Sequence, residues 1–120
     1  MVKTEIPDPV RDLLPLSPAV FYILFALAEG EKHGYAIMKE AETVSGGQFT
    51  MGPGTLYTTI QRLLQVALIE ETSTASDSER RRRCYRLSRS GRQVLEAELN
   101  RMESLVRSAQ RRKLVPRGAR

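Results

Sequence analysis

The chain has 120 residues, 41% of them hydrophobic and 28% charged, with one cysteine, one histidine and no tryptophan. That length fits one small domain with an extension and not two independent cores. The single cysteine excludes both an internal disulfide framework and a multi-cysteine zinc site. The net charge of +5 conceals a split: residues 1–79 carry 5 Lys/Arg against 11 Asp/Glu, and residues 80–120 carry 14 against 3. So segregated a basic block suits a polyanionic partner, most often nucleic acid, although a solvated arginine-rich helix and tail have the same composition.

In chain order, residues 1–15 read as an irregular arm punctuated by Pro7, Pro9 and Pro15, with room for one helical turn at Val10 to Leu14. The arm has no cleavable leader pattern. The longest apolar run, Ala19 to Ala28, is about half of what a membrane-spanning helix needs, so the expected setting is the cytoplasm, with no membrane contact. Ser17 as N-cap with Pro18 behind it predicts a first helix from about Ser17 to Glu29, ended by Gly30. It is apolar nearly all round, as a core helix is. A second helix is predicted over Gly34 to Val44, with Tyr35, Ile37, Met38 and Ala41 on one side and Lys39, Glu40 and Glu42 facing out. Ser45-Gly46-Gly47 stops it.

The third helix opens at Gly52-Pro53-Gly54-Thr55 and closes near Gln65. Leu56, Ile60, Leu63, Leu64 and Ala67 recur at helical spacing as its buried stripe. Leu68 to Thr72 and Arg80 to Leu87 read as two strands joined by the polar turn Ser73 to Ser78. Ser88 then caps a helix running to about Lys113, roughly 37 Å long. Along it Leu95, Leu99, Met102, Val106 and Ala109 are spaced four, three, four and three apart. That is a heptad seam suited to a second copy of the chain. Charged residues, among them Glu96, Glu98, Arg101, Glu103 and Arg107, flank the seam. The tail from Leu114 to Gly118 resembles a thrombin-cleavage remnant as much as a native end, and no function is placed there.

Three helices followed by a two-stranded hairpin is the order of a winged helix-turn-helix. The expected fold is therefore mainly α with a small β-hairpin, divided into an arm (1–15), a winged helix-turn-helix domain (16–88), a C-terminal dimerisation helix (89–113) and a tail (114–120). In this architecture the third helix enters the major groove and the wing touches the backbone. Opposite its buried stripe the third helix carries Thr55, Thr58, Gln61, Arg62 and Gln65. These are groups that read base edges and phosphates, with no carboxylate among them to repel phosphate. Polar outward faces are general in helices; here the basic hairpin that follows gives this one its meaning. Arg80, Arg81, Arg82 and Arg83 stand consecutively on the wing, with Arg86 and Arg89 after them. A strand sends such a run to both faces, where it repels itself unless an anion neutralises it, though arginines also protect exposed strand edges.

Several segments together resemble the PadR family of bacterial transcriptional regulators: Leu16-Ser17 through Leu27, His33-Gly34-Tyr35-Ala36-Ile37, Gly54-Thr55-Leu56-Tyr57 with Arg62-Leu63 and Leu68-Ile69, and Tyr85-Arg86-Leu87-Ser88 with Gly91-Arg92. The resemblance spans about Leu16 to Lys113 and is similar to the family's shorter members, which have a single C-terminal helix. It implies a homodimeric repressor on a palindromic double-stranded operator, with the last helix as the dimer seam and Tyr35 and Tyr57 joining the DNA-binding set. Three positions depart from the family habit. Thr58 replaces a proline, Ala67 a glycine, and Cys84 the first of two aromatics. Without tryptophan, the drug binding of some short members is not carried over, and the identity of any small-molecule inducer stays open.

The remaining chemistry-bearing residues admit bland readings. His33 reads as a structural histidine hydrogen-bonded to backbone in the turn between helices, or as a proton sensor beside Glu31. Cys84, between arginines, reads as a half-buried strand residue or as a redox-sensitive thiol. No phosphate-cradling loop, metal-ligand cluster or supported acid–base pair is visible, so neither an enzyme nor a cofactor is expected. The alternative from another class is a winged-helix module that binds protein or RNA without reading an operator.

Overall fold

The computed structural model describes residues 13–72 and 83–116. Most of the arm, the turn Ser73 to Ser78, Arg80, Arg81 and Arg82, and residues 117–120 lie outside them. Among the described residues four helices and three short strands follow one another: α1 (Pro18–Leu27), β1 (Lys32–His33), α2 (Gly34–Val44), α3 (Pro53–Gln65), β2 (Ile69–Glu71), β3 (Cys84–Leu87) and α4 (Arg89–Arg111).

Local capping explains where most of the helices start. Ser17 Oγ accepts the Val20 N–H at 3.3 Å, with Pro18 in the first turn of α1. Pro53 holds the same place in α3, and Ser88 Oγ accepts the Gly91 N–H at 3.0 Å to open α4. Each of the two serines satisfies a backbone donor that the helix itself leaves open, while α3 starts without a side-chain cap.

The end of α3 is less ordinary. The Leu68 N–H donates to the Leu63 carbonyl at 3.0 Å and the Ala67 N–H to Leu64 at 3.1 Å. This paired closure needs a left-handed residue, and Ala67 supplies it at φ 62°. The family habit of glycine here thus has a steric cause, since a Cβ is disfavoured in that conformation. Ala67 is exposed and leaves the buried stripe it was expected to join; Leu64 is only half-buried. The chain repeats the arrangement at the end of α4, where Lys113 has φ 62° and the Leu114 N–H reaches the Ala109 carbonyl at 2.8 Å.

α1 packs on α2, α3, α4 and β3. Its Ile23, Leu24, Ala26 and Leu27 meet Ile37 and Ala41 of α2, Leu56, Ile60 and Leu63 of α3, Ile69, Tyr85, and Val94 and Leu95 of α4 in one buried cluster. Burying each large aliphatic side chain contributes about 1.5–3 kcal/mol, so this cluster fixes how the helices sit around α1. Leu14, Leu16, Phe21, Phe25 and Phe49 pack on its margin.

The expected strand pair forms, with Ile69 opposite Leu87, Glu70 opposite Arg86 and Glu71 opposite Tyr85. A third strand joins it. β1 lies antiparallel on the other side of β3, Lys32 opposite Tyr85 and His33 opposite Cys84, so the sheet order is β1-β3-β2.

Two readings of α4 need correction. Leu95, counted in the dimer seam, is 2% exposed within its own chain and belongs to the protomer's core. The domain is thick enough to cover about the first three turns of α4. Glu98, counted among the solvated flanking charges, is 1% exposed. Its Oε2 accepts the Leu16 N–H at 2.9 Å, and Arg101 donates to both of its oxygens at 2.6 and 3.1 Å. The Arg101 hydrogen bonds hold the Glu98 carboxyl below the usual carboxylate range, against burial, which pushes it up; the Leu16 N–H also holds it down.

Candidate nucleic-acid interface

α3 divides as its periodicity requires. Leu56, Ile60 and Leu63 are buried, while Thr55, Tyr57, Thr58, Gln61, Arg62 and Gln65 are exposed. Thr59, between the two faces, turns its hydroxyl back on its own helix and donates to the Thr55 carbonyl at 2.7 Å. The hydroxyls, amides and guanidinium of the outer face therefore stand on a helix whose other side is locked in the core.

Tyr57 does double duty in this arrangement. It is 44% exposed, yet its ring and hydroxyl lie against Gly34, the first residue of α2, where an added Cβ would force the tyrosine to shift. The contact brings Tyr57 of α3 beside the residue that precedes Tyr35. Tyr35 is 59% exposed and does not lie with the apolar side of α2, where it had been placed. Lys39, one turn on, holds its Nζ 5.9 Å from the Tyr35 ring centroid, a cation–π arrangement at an exposed site. Sequence reasoning placed Lys39 on the outer face but gave it no role. Its i,i+4 spacing from a surface tyrosine was the available signal.

His33 carries the bland role. Its Nδ1 accepts the Ala36 N–H at 3.4 Å, so the imidazole serves as N-cap of α2 while its backbone pairs with β3.

The base of the wing is built by β2 and β3. Arg83 and Arg86 are exposed and Tyr85 between them is 3% exposed. Burial, then the nearby Glu71 carboxylate, pushes the Tyr85 hydroxyl above its ordinary value. Cys84 is half-buried, as the bland reading had it. Arg86 Nε lies 2.9 Å from Glu70 Oε1, and Arg83 Nε lies 3.6 Å from Glu71 Oε2.

On α4, beyond the buried first turns, Leu99 is 36% exposed, Leu105 57% and Val106 47%. Met102 and Ala109 are half-buried. Leu105 was missed because it sits one residue off the heptad rows. Among the described residues no helix is long and apolar enough to cross a membrane. Nor does any group of three or more His, Cys, Asp or Glu side chains there come together as metal ligands would.

Residues 23–97 match the model of a family described as the transcriptional regulator PadR-like family. A curated relative, an uncharacterised 37.1 kDa protein in transposon TN4556 of Streptomyces fradiae, is 38% identical over 87 residues, 72% of this chain and 24% of that protein. The chain thus spans about a quarter of the length of that relative. Among solved structures, H. salinarum RosR superposes with a TM-score of 0.65 at 26% identity, over 78% of this chain and 79% of that one. Bacillus subtilis PadR in complex with operator DNA superposes with a TM-score of 0.62 at 25% identity, over 71% of this chain and 47% of that one. A PadR family regulator from Clostridium difficile gives a TM-score of 0.65 at 23% identity, over 79% of this chain and 97% of that one, and shows the likeness of fold.

Proposed function

Because the chain belongs to the PadR-like family of transcriptional regulators, we propose that it is a sequence-specific repressor that binds a palindromic DNA operator as a homodimer in the cytoplasm. The observation that carries this reading is the outer face of α3. Thr55, Thr58, Gln61 and Arg62 are exposed side by side on a helix anchored by Leu56, Ile60 and Leu63. Groups of this kind pair with base edges when a helix lies in the major groove. In this reading Tyr35 and Lys39 of α2 and Tyr57 of α3 would contact backbone phosphate, and the wing arginines Arg80, Arg81, Arg82 and Arg83 would do so on the other flank. The likeness to the operator-bound PadR supports the docking mode.

The homodimer rests on α4. Leu99, Met102, Leu105, Val106 and Ala109 form an apolar stripe past the end of the protomer's own core, and a second copy of the same stripe is its natural cover. Two reading helices related by a two-fold axis demand two half-sites. No catalytic role or cofactor is assigned.

Selection from a random duplex library, followed by gel shifts on the recovered and scrambled sequences, tests the reading. Enrichment of an inverted repeat, bound far more tightly than its scrambled form, is expected. Thr58→Ala or Gln61→Ala should then cost about 1–3 kcal/mol of discrimination each. Equal binding of all duplexes, or binding of single-stranded RNA in their place, would instead support an interaction module that reads no operator.

A further inference from the structure

The two strands at the base of the wing carry opposite charge. β2 ends in Glu70 and Glu71, and β3 is bounded by Arg83 and carries Arg86. Register brings them together: Glu70 lies directly opposite Arg86, while Glu71 lies opposite Tyr85 and so one diagonal step from Arg83. Both contacts form, at 2.9 Å for Arg86–Glu70 and 3.6 Å for Arg83–Glu71. Because neighbouring strand residues point to opposite faces, one ion pair lies on each face of the sheet.

These pairs are poor candidates for holding the fold together. The four side chains are between 35% and 59% exposed, and exposed pairs contribute little to stability because water screens them and two long side chains must be ordered. The consequence for a ligand is larger. A guanidinium held at Nε by a carboxylate keeps other N–H groups for a phosphate, but its charge is already offset by its partner and its reach is restricted, and the carboxylate itself repels the approaching strand.

We propose that Glu70 and Glu71 restrain the wing's sequence-independent hold on DNA by occupying Arg86 and Arg83. The inference rests on the DNA-binding reading above and goes beyond it, since that reading assigns only the groups that attract the duplex. A complex held by charge alone feels the restraint in full, because phosphate contacts supply essentially all of its affinity. Each pair weakens such binding by a factor of up to about five.

The test uses the full chain and a fluorescently labelled duplex of scrambled sequence, titrated at several salt concentrations. Glu70→Gln/Glu71→Gln keeps side-chain size and a hydrogen-bonding oxygen while removing both charges. It should bind about tenfold more tightly, with a salt dependence steeper by about two. A control, Glu42→Gln/Glu96→Gln, removes two exposed carboxylates elsewhere and should gain much less. An unchanged thermal midpoint shows that the sheet is intact. If the double variant is damaged, Glu70→Gln alone should still gain about threefold. A wild-type chain that binds the duplex while the variant binds no better than the control overturns the inference and leaves the DNA reading standing. A wild-type chain that binds no duplex even at low salt overturns both.

Discussion

α4 has two halves with different fates. From Gly91 to Glu98 it is a core element, with Val94, Leu95, Ala97 and Glu98 all buried. From Leu99 onward, Leu99, Leu105 and Val106 lie on the surface. The four-and-three spacing of apolar residues starts in the first half at Leu95 and continues without a break through the second. A heptad pattern therefore says that a stripe will be covered and not by what. Reach decides: the domain covers only about three turns of the helix, and Glu98, tied to Leu16 and Arg101, marks where its cover ends.

Substitutions in each half should separate in kind. The largest effect is expected in the first. Leu95→Ala should cost about 2–5 kcal/mol of protomer stability in urea unfolding, by the same amount at every protein concentration. A loss that shrinks as concentration rises would return Leu95 to the dimer seam.

Met102→Asp tests the second half. Burying a charge in the proposed interface should weaken association by about a hundredfold or more while the domain stays folded. Sedimentation velocity should then report a folded monomer. A variant that loses its domain fold as well would show that Met102 serves the protomer.

At the boundary, Glu98→Gln should cost about 1–3 kcal/mol, because charge-assisted hydrogen bonds to Arg101 and Leu16 are weakened. The pH dependence has a definite sign. The folded carboxyl is held below its ordinary value, so its contribution is complete above the ordinary carboxylate range and is lost as pH falls through the lowered folded value. Thermal melts in acid should show this loss in the wild-type chain and much less of it in Glu98→Gln.

The smallest effects concern the two left-handed residues. Ala67→Gly should raise protomer stability by about 1 kcal/mol by relieving a disfavoured backbone conformation. Lys113→Gly, at the far end of α4, should leave the domain's melting midpoint unchanged, because that end carries none of the core. Equal gains from both would mean that the two halves unfold as one unit.

What could be read from the sequence follows the range of the interactions involved. Ser17-Pro18, Gly52-Pro53 and Ser88 announce helix starts because a cap is decided within four residues. The two faces of α3 are legible because period and polarity agree. β1 is not, since two residues have no period and Lys32–His33 becomes a strand only by pairing with Cys84 and Tyr85, some fifty residues on. Glu98 looks like any solvated helix charge, and the N–H that makes it buriable belongs to Leu16, 82 residues earlier. Tyr35 was misplaced because a helical wheel gives angles only; the covering of Gly34 by Tyr57 fixes which side of α2 is outermost.

The junction between α3 and α4 has a mechanical consequence. The Ala67 carbonyl accepts the hydroxyls of Ser88 and Ser90 at 2.7 and 3.1 Å, and the Leu68 carbonyl accepts the Ser88 N–H at 3.1 Å. The same Leu68 carbonyl presses so closely on Gly91 that no side chain fits between them. α4 is thus a lever about 34 Å long, clamped at its first turn to the residues that close α3. Tilting it by about 5° sweeps the free end through roughly 3 Å, and with no slack at the clamp the rotation must carry the end of α3 along. A force applied to the far turns of α4 would in this way be geared down into a small, directed displacement of the outer face of α3.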